Sequence, residues 1–316
     1  CYNYACDTEQ VVPSGSCVVH QNLTYHLSTC KNATLSYCDT ASGRCTAPPK
    51  EPVIQAWPGE FCNNKTVNCT YGTCFNSTCV GKQFNETCTS HNMCSPGLRC
   101  GSTSRCVPLV QLGAQGCRDD YDCVASGVCN ATVKGNGTCV EYASLAAGSS
   151  ISDCNNGKSG LCKSTLCSKV AKFSNKGVCL NTPTSLIKHP ADCKADSDCE
   201  ATDGVSALKG QCMCGMNPQG KAYCKQQVGD AKGQSALIAY KTHLALADVC
   251  NTMRRGSDEC MKLTGQYEKV FFSEYEYFSY HLLQGNDACV KAIYHDKYWD
   301  LAGAWAVVPV VLAWLL

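Results

Sequence analysis

Thirty of the 316 residues are cysteine, close to one residue in ten. A cysteine content at this level indicates a scaffold held together by disulfides rather than by one large apolar core. Because disulfides at this density persist only in oxidising compartments, we expect an extracellular or cell-surface protein. Zinc is the competing explanation for clustered cysteines, but its usual C-x2-C pairs do not occur in the sequence. Neither a metal site nor a cofactor is therefore predicted.

The cysteines recur in groups of four along most of the chain. Regular groups begin at Cys62, Cys88, Cys117 and Cys154, a divergent copy begins at Cys17, and an irregular group begins at Cys193. A group of this length buries too little apolar surface to fold on its core alone. A disulfide that closes a loop of about 15 residues stabilises a fold by roughly 3 kcal/mol, so two per group replace the missing core. We predict short strands and turns in each group, with most bridges inside it.

The cysteine groups within residues 59–139 share a recognisable sequence pattern. The stretch "CTSHNMCSPGLRC" (residues 88–100) and the preceding pattern G-x-x-C…C…G-x-C…C-V-G resemble cysteine-rich units of the Dickkopf N-terminal and EB-module type. Tandem units of this kind occur in extracellular proteins of animals and in surface proteins of ciliates and other protists. The resemblance covers residues 59–139 best, and it implies surface display or binding rather than catalysis.

The sequence changes character after Cys224, where apolar residues take up helical spacing. We predict one helix within residues 233–255, a second over residues 258–284 with Ser257 as its N-cap, and a third from about Asp287. The predicted fold class is a small disulfide-rich repeat array of short β-strands and turns, followed by a C-terminal α-helical domain with an apolar tail. Its predicted divisions are an N-terminal cysteine-rich unit with linker (1–58), tandem four-cysteine repeats (59–227), the helical domain (228–300) and the tail (301–316).

Sequons for N-linked glycosylation are confined to the first part of the chain. An Asn-x-Ser/Thr sequon occurs at Asn22, Asn32, Asn64, Asn68, Asn76, Asn85, Asn130 and Asn136. Eight sequons within 138 residues, beside so many cysteines, indicate a secreted glycoprotein that carries N-linked glycans on its N-terminal array. The region after Cys139 has no sequon and is expected to be bare.

No motif for catalysis is found, and we predict that the protein is not an enzyme. Histidines are scattered, and no nucleophile with a base, phosphate loop or nucleic-acid motif occurs. The net charge of +1 gives no basic field for nucleic acid. The acidic runs "RDDYDC" (118–123) and "KADSDCEATD" (194–203) are interpreted as solvated turns, because neither has the glycine and closing glutamate of an EF-hand. Cys212 and Cys214 of "CMC" are expected to bond to different partners.

The final sixteen residues, "LAGAWAVVPVVLAWLL", contain no charged side chain. Sixteen helical residues reach about 24 Å, which is short of a hydrocarbon core of roughly 30 Å. A GPI signal is the alternative, with its cleavage site near Asn286. Cleavage there would remove Cys289 and leave an odd number of cysteines, so we favour a retained tail, covered by the chain's own helical domain or by a neighbouring copy. The chain would then meet a membrane only if the tail is a GPI signal.

These features together predict a secreted structural glycoprotein, a subunit of an extracellular filament or cell-surface coat. Its partner would be another copy of the same chain, in a homopolymer assembled through the C-terminal region. The alternative is a GPI-anchored surface binding protein or receptor-like ectodomain. The candidate assembly residues are a predicted aromatic stripe and the end of the tail: Tyr267, Phe271, Tyr275, Phe278, Leu312, Trp314, Leu315 and Leu316.

Overall fold

Among the residues that the structure describes, small β-sheets of two or three strands precede residue 230, and three α-helices follow. The computed structural model describes residues 54–285, except 64, 132–135, 156, 172–173, 184–186 and 203–206. It also describes residues 1, 3, 5–6, 16–22, 24–29, 37–39, 42 and 44–47. The predicted disulfide array with C-terminal helices is confirmed. The apolar tail and the predicted third helix lie outside the described residues.

An antiparallel hairpin is the common element of six successive cysteine units, here numbered 1 to 6 (residues 17–45, 62–79, 88–106, 117–139, 154–179 and 193–224). The hairpins pair Tyr37–Asp39 with Arg44–Thr46, Thr73–Phe75 with Thr78–Val80, Leu98–Cys100 with Cys106–Pro108, Gly127–Asn130 with Gly137–Glu141, Cys167–Lys169 with Gly177–Cys179, and Cys212–Cys214 with Ala222–Cys224. In each hairpin the third and fourth cysteines of the unit lie directly opposite one another. This shared register identifies unit 1 as a divergent copy and unit 6 as a regular unit with one extra cysteine.

The disulfides of units 2 to 6 follow one rule: the first cysteine bonds to the third, and the second bonds to the fourth. The bonds are Cys62–Cys74, Cys69–Cys79, Cys88–Cys100, Cys94–Cys106, Cys117–Cys129, Cys123–Cys139, Cys154–Cys167, Cys162–Cys179, Cys193–Cys212 and Cys199–Cys224. Unit 1 contains the equivalent first bond, Cys17–Cys38. The extra cysteine of unit 6, Cys214, bonds to Cys1. The predictions of bridges inside the groups and of different partners for Cys212 and Cys214 are confirmed.

A short segment ahead of each of units 2 to 5 pairs in parallel with the second cysteine of that unit. The pairs are Ala56 with Cys69, Lys82 with Cys94, Val110 with Cys123 and Leu145 with Cys162. A residue with a positive φ follows each segment, such as Gly59 in unit 2 and Asn85 in unit 3. Its backbone N–H donates to the carbonyl oxygen of the unit's fourth cysteine, at 2.8 Å in both units. Asparagine tolerates this backbone conformation better than other non-glycine residues. Each segment between units therefore belongs structurally to the unit that follows it.

The remaining strands extend these hairpins or form small sheets of their own. They are Ala5–Cys6, Ser16–Gln21 and Thr24–Thr29 in one sheet, Ile54–Ala56 with Val67–Cys69, the third strands Gln115–Cys117, Ser150–Ile151 and Asp192–Cys193 of units 4 to 6, and Ala201–Thr202 with Ala207–Leu208. The apolar core is correspondingly divided, and each of units 2 to 5 has a cluster built mainly from its own half-cystines.

Between residues 225 and 285 the chain forms three α-helices: α1 (Ala231–Leu244), α2 (Asp258–Leu263) and α3 (Tyr267–Ser279). Ser257 is the N-cap of α2, as predicted, and its hydroxyl accepts the backbone N–H of Cys260. The prediction of one continuous helix over residues 258–284 is wrong. Gly265 adopts a positive φ of 67° between α2 and α3, a conformation that ends a helix, and this turn lets α3 pack back against α1.

Candidate binding site between the repeats and the helices

The segment between α1 and α2, residues 245–257, crosses three consecutive repeat units; we call it the strap. Arg254 forms an ion pair with Glu60 of unit 2's leading segment, at 3.1 Å. The Asn251 amide donates to backbone carbonyl oxygens of unit 3, and Thr252 donates its hydroxyl to the Tyr121 carbonyl oxygen of unit 4 at 2.7 Å. A disulfide from the strap to α2, Cys250–Cys260, is fully buried against Ala125 and Ala247. The helices are therefore fastened to the array rather than following it as a separate body.

Charged groups strengthen the contact between unit 4 and the helices. Arg255 is 8 % exposed and donates to the Gly127 carbonyl oxygen at 3.0 Å, while its guanidinium lies over the Tyr121 ring. Asp248 accepts the backbone N–H of Ala125 at 2.7 Å. These hydrogen bonds hold the helices at a fixed distance from the hairpins, which leaves space along the contact.

Two cavities lie along this contact, and they share Tyr142 and Tyr240. The first, the polar cavity, has a volume of about 780 Å³ and lies against unit 4. The second, the aromatic cavity, has a volume of about 540 Å³ and lies between unit 5 and the helices. Tyr142 and Tyr240 meet edge to face with ring centroids 5.5 Å apart and line both spaces. A ligand of drug-like size fits a cavity of either volume.

Charges of the polar cavity are largely matched within the protein. Its lining includes Arg118, Asp119, Asp120 and Arg255. The Asp120 carboxylate accepts the backbone N–H of Cys129, and Arg118 donates to the neighbouring Asp122 at 3.1 Å. This cavity therefore offers polar groups that are already engaged.

The aromatic cavity is built from tyrosines that rest on glycines. A Cβ atom added to Gly160 would lie 2.7 Å from the Tyr142 ring, and one added to Gly256 would lie 2.9 Å from the Tyr240 hydroxyl. Such contacts mean that any larger residue at these glycines would displace a ring. Burial, with the neighbouring Tyr240 and Glu274, raises the pKa of Tyr142 to about 12, so its hydroxyl stays neutral.

Glu274 is the charged group on the helix side of the aromatic cavity. It projects from α3, where Phe271, Tyr277 and Phe278 also line the cavity. Burial raises the pKa of Glu274, and the nearby Asp258 raises it further. Both effects disfavour the ionised carboxylate, and no cation of the described part of the chain lies against it. Glu274 is thus a partly buried acid without a counter-ion.

The acidic runs act as caps for the repeat units. Three units place an acceptor three residues after their first cysteine: Asp120, Asp196 and His91. Each accepts the backbone N–H of the unit's third cysteine, at 2.8, 2.8 and 3.1 Å respectively. Units 4 and 6 also have an aspartate five residues after the first cysteine. Asp122 accepts the backbone N–H of Arg118, and Asp198 accepts that of Lys194, at 2.7 Å in both cases. A spacing of C-x2-[D/H]-x2-C, with Asp before the second cysteine in units 4 and 6, is a signal for this arrangement that sequence reasoning missed.

The interpretation of residues 118–123 as a solvated turn is wrong for Asp122. Its side chain is fully buried and forms ion pairs with Arg99 of unit 3 at 2.7 Å and with Arg118 at 3.1 Å. Burial alone would raise the pKa of Asp122, but hydrogen bonds from Arg118 and Arg99 lower it to about 2. The carboxylate therefore stays ionised inside the boundary between two units.

Metal-ligating atoms also converge at this boundary, where His91, Asp119 and Asp122 lie within 4.8 Å of one another. The Asp122 carboxylate already binds two guanidinium groups, which would repel a cation placed beside it. The clusters of cysteine sulfurs are all in disulfides and offer no thiolate. We assign no metal site to these groups.

The predicted glycosylation sites fall on exposed surface with one exception. Asn22, Asn68, Asn76, Asn85 and Asn136 are exposed, whereas Asn32 and Asn64 lie outside the described residues. Asn130 is half-buried, and its amide joins units 4 and 5 by donating to the Ser150 carbonyl oxygen and accepting the N–H of Ser152. Glycosylation itself stays a prediction at every site.

The predicted aromatic stripe exists on α3, but it is divided between core and surface. Tyr267 and Phe271 stack at 5.5 Å, and Phe271 and Tyr275 at 6.4 Å. Tyr267 also packs against the buried cluster of the helices, whereas Phe278 is 55 % exposed. The assembly residues of the tail, Leu312, Trp314, Leu315 and Leu316, lie outside the described residues. Assembly through this region stays a prediction.

Sequence reasoning also missed the cavity residues Tyr142 and Glu274. Nothing in their local sequence marks them, because Tyr142 follows unit 4 and Glu274 belongs to α3, 132 residues later. The strap and the contacts of α1 with the end of unit 4 bring both residues to one cavity. The acid's position on the same helical face as Phe271 and Phe278 was the one available signal.

The chain matches no known protein family, and no characterised protein or solved structure is significantly similar to it. Within the described residues, no helix combines the length and apolar character needed to cross a membrane. The disulfide content indicates an extracellular or secreted protein.

Proposed function

We propose that the protein is an extracellular glycoprotein that binds a small ligand, or a side chain of a partner, in the aromatic cavity between its repeats and its helices. The observation that carries this proposal is the cavity itself, with a volume of about 540 Å³ and walls that are mainly aromatic and aliphatic. Concave, mostly apolar sites with a few polar groups are the usual form of ligand sites in proteins. The disulfides and the strap make the site rigid, which lowers the entropic cost of binding.

A cavity-filling variant tests this proposal on the intact secreted protein. Leu237 of α1 lines the cavity, whereas its neighbour Ile238 is 60 % exposed on the outer side of the same helix. Saturation-transfer NMR with benzylamine, benzyl alcohol and benzoate provides cationic, neutral and anionic probes of one size. We expect at least one probe to bind the native protein and the control Ile238→Trp, and to lose binding in Leu237→Trp. Absence of binding by all three probes would overturn the proposal.

Self-association into a filament or surface coat is the second candidate function. The exposed ring of Phe278 and the absence of sequons after Cys139 favour it, because an unglycosylated surface with an aromatic side chain suits protein contacts. Truncation after Asp300 would then abolish polymers that the full chain forms, as measured by light scattering and electron microscopy. Polymers of unchanged length from the truncated chain would contradict it, and release of native protein from cells by phospholipase would favour a lipid anchor.

A further inference from the structure

We propose that the aromatic cavity binds an organic cation, an ammonium group carried on an apolar body, with Glu274 as its counter-ion. This inference rests on the proposed function, that the cavity is a binding site. It adds the chemical class of the ligand and the residue that selects it.

Glu274 differs from the fully buried acids of the described residues, because each of those has a basic partner. Glu60 pairs with Arg254, Asp122 pairs with Arg99 and Arg118, and Asp230 lies 3.0 Å from a nitrogen of His189. Buried charges in proteins are normally compensated in this way. Burial and the second carboxylate of Asp258 both oppose the ionisation of Glu274, and no ion pair within the described residues compensates it. A cation is the group that this position lacks.

The charged groups that line the aromatic cavity are two acids and one base. Asp258, at the start of α2, lines the same space and adds a second negative charge. Lys158 is the one basic residue of the lining; it is exposed and, within the described part of the chain, forms no ion pair with either acid. Two carboxylates and one exposed ammonium leave the lining with an excess of negative charge, which favours a positively charged guest.

The walls of the aromatic cavity are also suited to an organic cation. Aromatic rings line the cavity from two sides. The segment between units 4 and 5 contributes Tyr142, α1 contributes Tyr240, and α3 contributes Phe271 and Tyr277. The negative faces of aromatic rings attract cations, and cages of such rings are a common way to bind alkylated ammonium groups. Apolar parts of the same ligand would lie against Leu237 and the other aliphatic side chains.

A polar group on the opposite wall also lacks a partner. Thr165 has a positive φ of 60°, which is an uncommon conformation for a β-branched residue. Its hydroxyl is buried and has no hydrogen-bond partner among the described residues. Strained backbone and unsatisfied polar groups are found preferentially at functional sites.

A metal ion fits this cavity less well than an organic cation. Magnesium and calcium require several oxygen ligands converging on one point. Glu274 and Asp258 do not belong to any converging set of potential ligands in the described part of the chain. The neutral tyrosine hydroxyls, whose pKa values are raised by burial, are poor metal ligands as well.

Binding of a cation would be coupled to ionisation of Glu274. Burial and Asp258 raise the pKa of this carboxyl, so its protonated form persists to a higher pH than that of an ordinary glutamate, and only the ionised form attracts the cation. Affinity for the cation should therefore fall as the pH is lowered through the pKa of Glu274. Binding of a neutral probe of the same shape should not change in the same way.

The test compares benzylamine with its neutral analogue benzyl alcohol by NMR titration of the full-length glycoprotein. Glu274→Gln removes the charge with little change of shape, and Glu276→Gln, at an exposed position of the same helix, is the matched control. We expect benzylamine to bind at least about tenfold more tightly than benzyl alcohol, and Glu274→Gln to remove this preference while Glu276→Gln retains it.

The possible results separate the two proposals. Equal binding of benzylamine and benzyl alcohol, or unchanged benzylamine affinity in Glu274→Gln, would overturn the assignment of the cation while the cavity remained a binding site. Binding of benzoate in preference to both would do the same. Thermal unfolding of Glu274→Gln serves as the folding control, since removal of an uncompensated acid should leave the variant at least as stable as the native protein.

Discussion

Asp122 and Arg99 form an ion pair across the boundary between two consecutive repeat units, with Arg99 Nη1 2.7 Å from Asp122 Oδ1. The carboxylate is fully buried, and it also binds the backbone N–H and the guanidinium of Arg118. Arg118 in turn donates to the Cys100 carbonyl oxygen of unit 3 at 2.9 Å. One aspartate therefore caps its own unit and fixes the orientation of the unit before it.

Replacement of Asp122 should be far more costly than replacement of its counterpart in unit 6. Asp122→Asn removes a fully buried carboxylate from the partly buried Arg99 and the more exposed Arg118, and we expect a loss of about 3 kcal/mol in the free energy of unfolding. Asp198→Asn removes a carboxylate from the same position of an exposed turn, where solvent screens its interactions, and we expect no comparable loss. Denaturant unfolding with the disulfides intact measures both. Equal losses would show that the inter-unit ion pairs do not stabilise the fold.

Acid should weaken the same contact. The pKa of Asp122 is about 2 in the folded protein, below its ordinary value of 3.8, so the ionised form is favoured by folding. The ionised Asp122 therefore contributes about 2 kcal/mol to the free energy of unfolding. This contribution is fully present above pH 4 and is lost as the pH falls from about 4 towards 2. Unfolding experiments across this range should show a steep loss of stability that is smaller in Asp122→Asn. Parallel pH profiles for the two proteins would contradict this prediction.

The strap should depend on Asn251. This side chain is fully buried, donates to the His91 and Cys94 carbonyl oxygens of unit 3, and accepts the backbone N–H of Met253. Asn251→Ala leaves these groups unsatisfied and should cost about 2 kcal/mol. Hydrogen exchange in the strap should accelerate as well. Met253→Ala, at a partly exposed neighbour, is the control, and similar exchange in both variants would argue against the assigned role of Asn251.

Glycan occupancy should differ between Asn76 and Asn130. Asn76 lies with Ser77 in a two-residue hairpin turn, where both have positive φ and Asn76 is exposed. A glycan on Asn130 would displace its hydrogen bond to Ser150 and separate units 4 and 5. Glycopeptide mass spectrometry should therefore find Asn76 occupied and Asn130 largely unmodified. The reverse distribution would contradict the predicted contact between these units.

Local features of the fold were predictable from the sequence, whereas its long-range contacts were not. The four-cysteine groups, the N-cap at Ser257 and the separate partners of Cys212 and Cys214 follow from spacing and residue type. The pairing of first with third and second with fourth cysteines did not follow, because loops of similar length close at similar cost. That pairing depends on the hairpin register, which places the third and fourth cysteines opposite one another.

The candidate site was not predictable for a related reason. Glu274 and Tyr142 reach one cavity because the strap returns the chain to units 2, 3 and 4 and α1 contacts the end of unit 4. The strap's contacts use backbone carbonyl oxygens that have no sequence signature. The acidic run at Asp122 was misinterpreted because its partner Arg99 belongs to another unit. In both cases the decisive residue lies outside the local window.

Carbodiimide cross-linking of the monomeric protein tests most directly whether the helices close over the repeats. Lys241 of α1 and Glu141 of unit 4 form an ion pair at 2.9 Å, although they are 100 residues apart in the sequence. We expect a zero-length Lys241–Glu141 cross-link within one chain, at a yield comparable to that of Lys232–Glu276, an ion pair within the helical region. Formation of the Lys232–Glu276 link without Lys241–Glu141 would contradict it, because the helices would then not enclose the cavity.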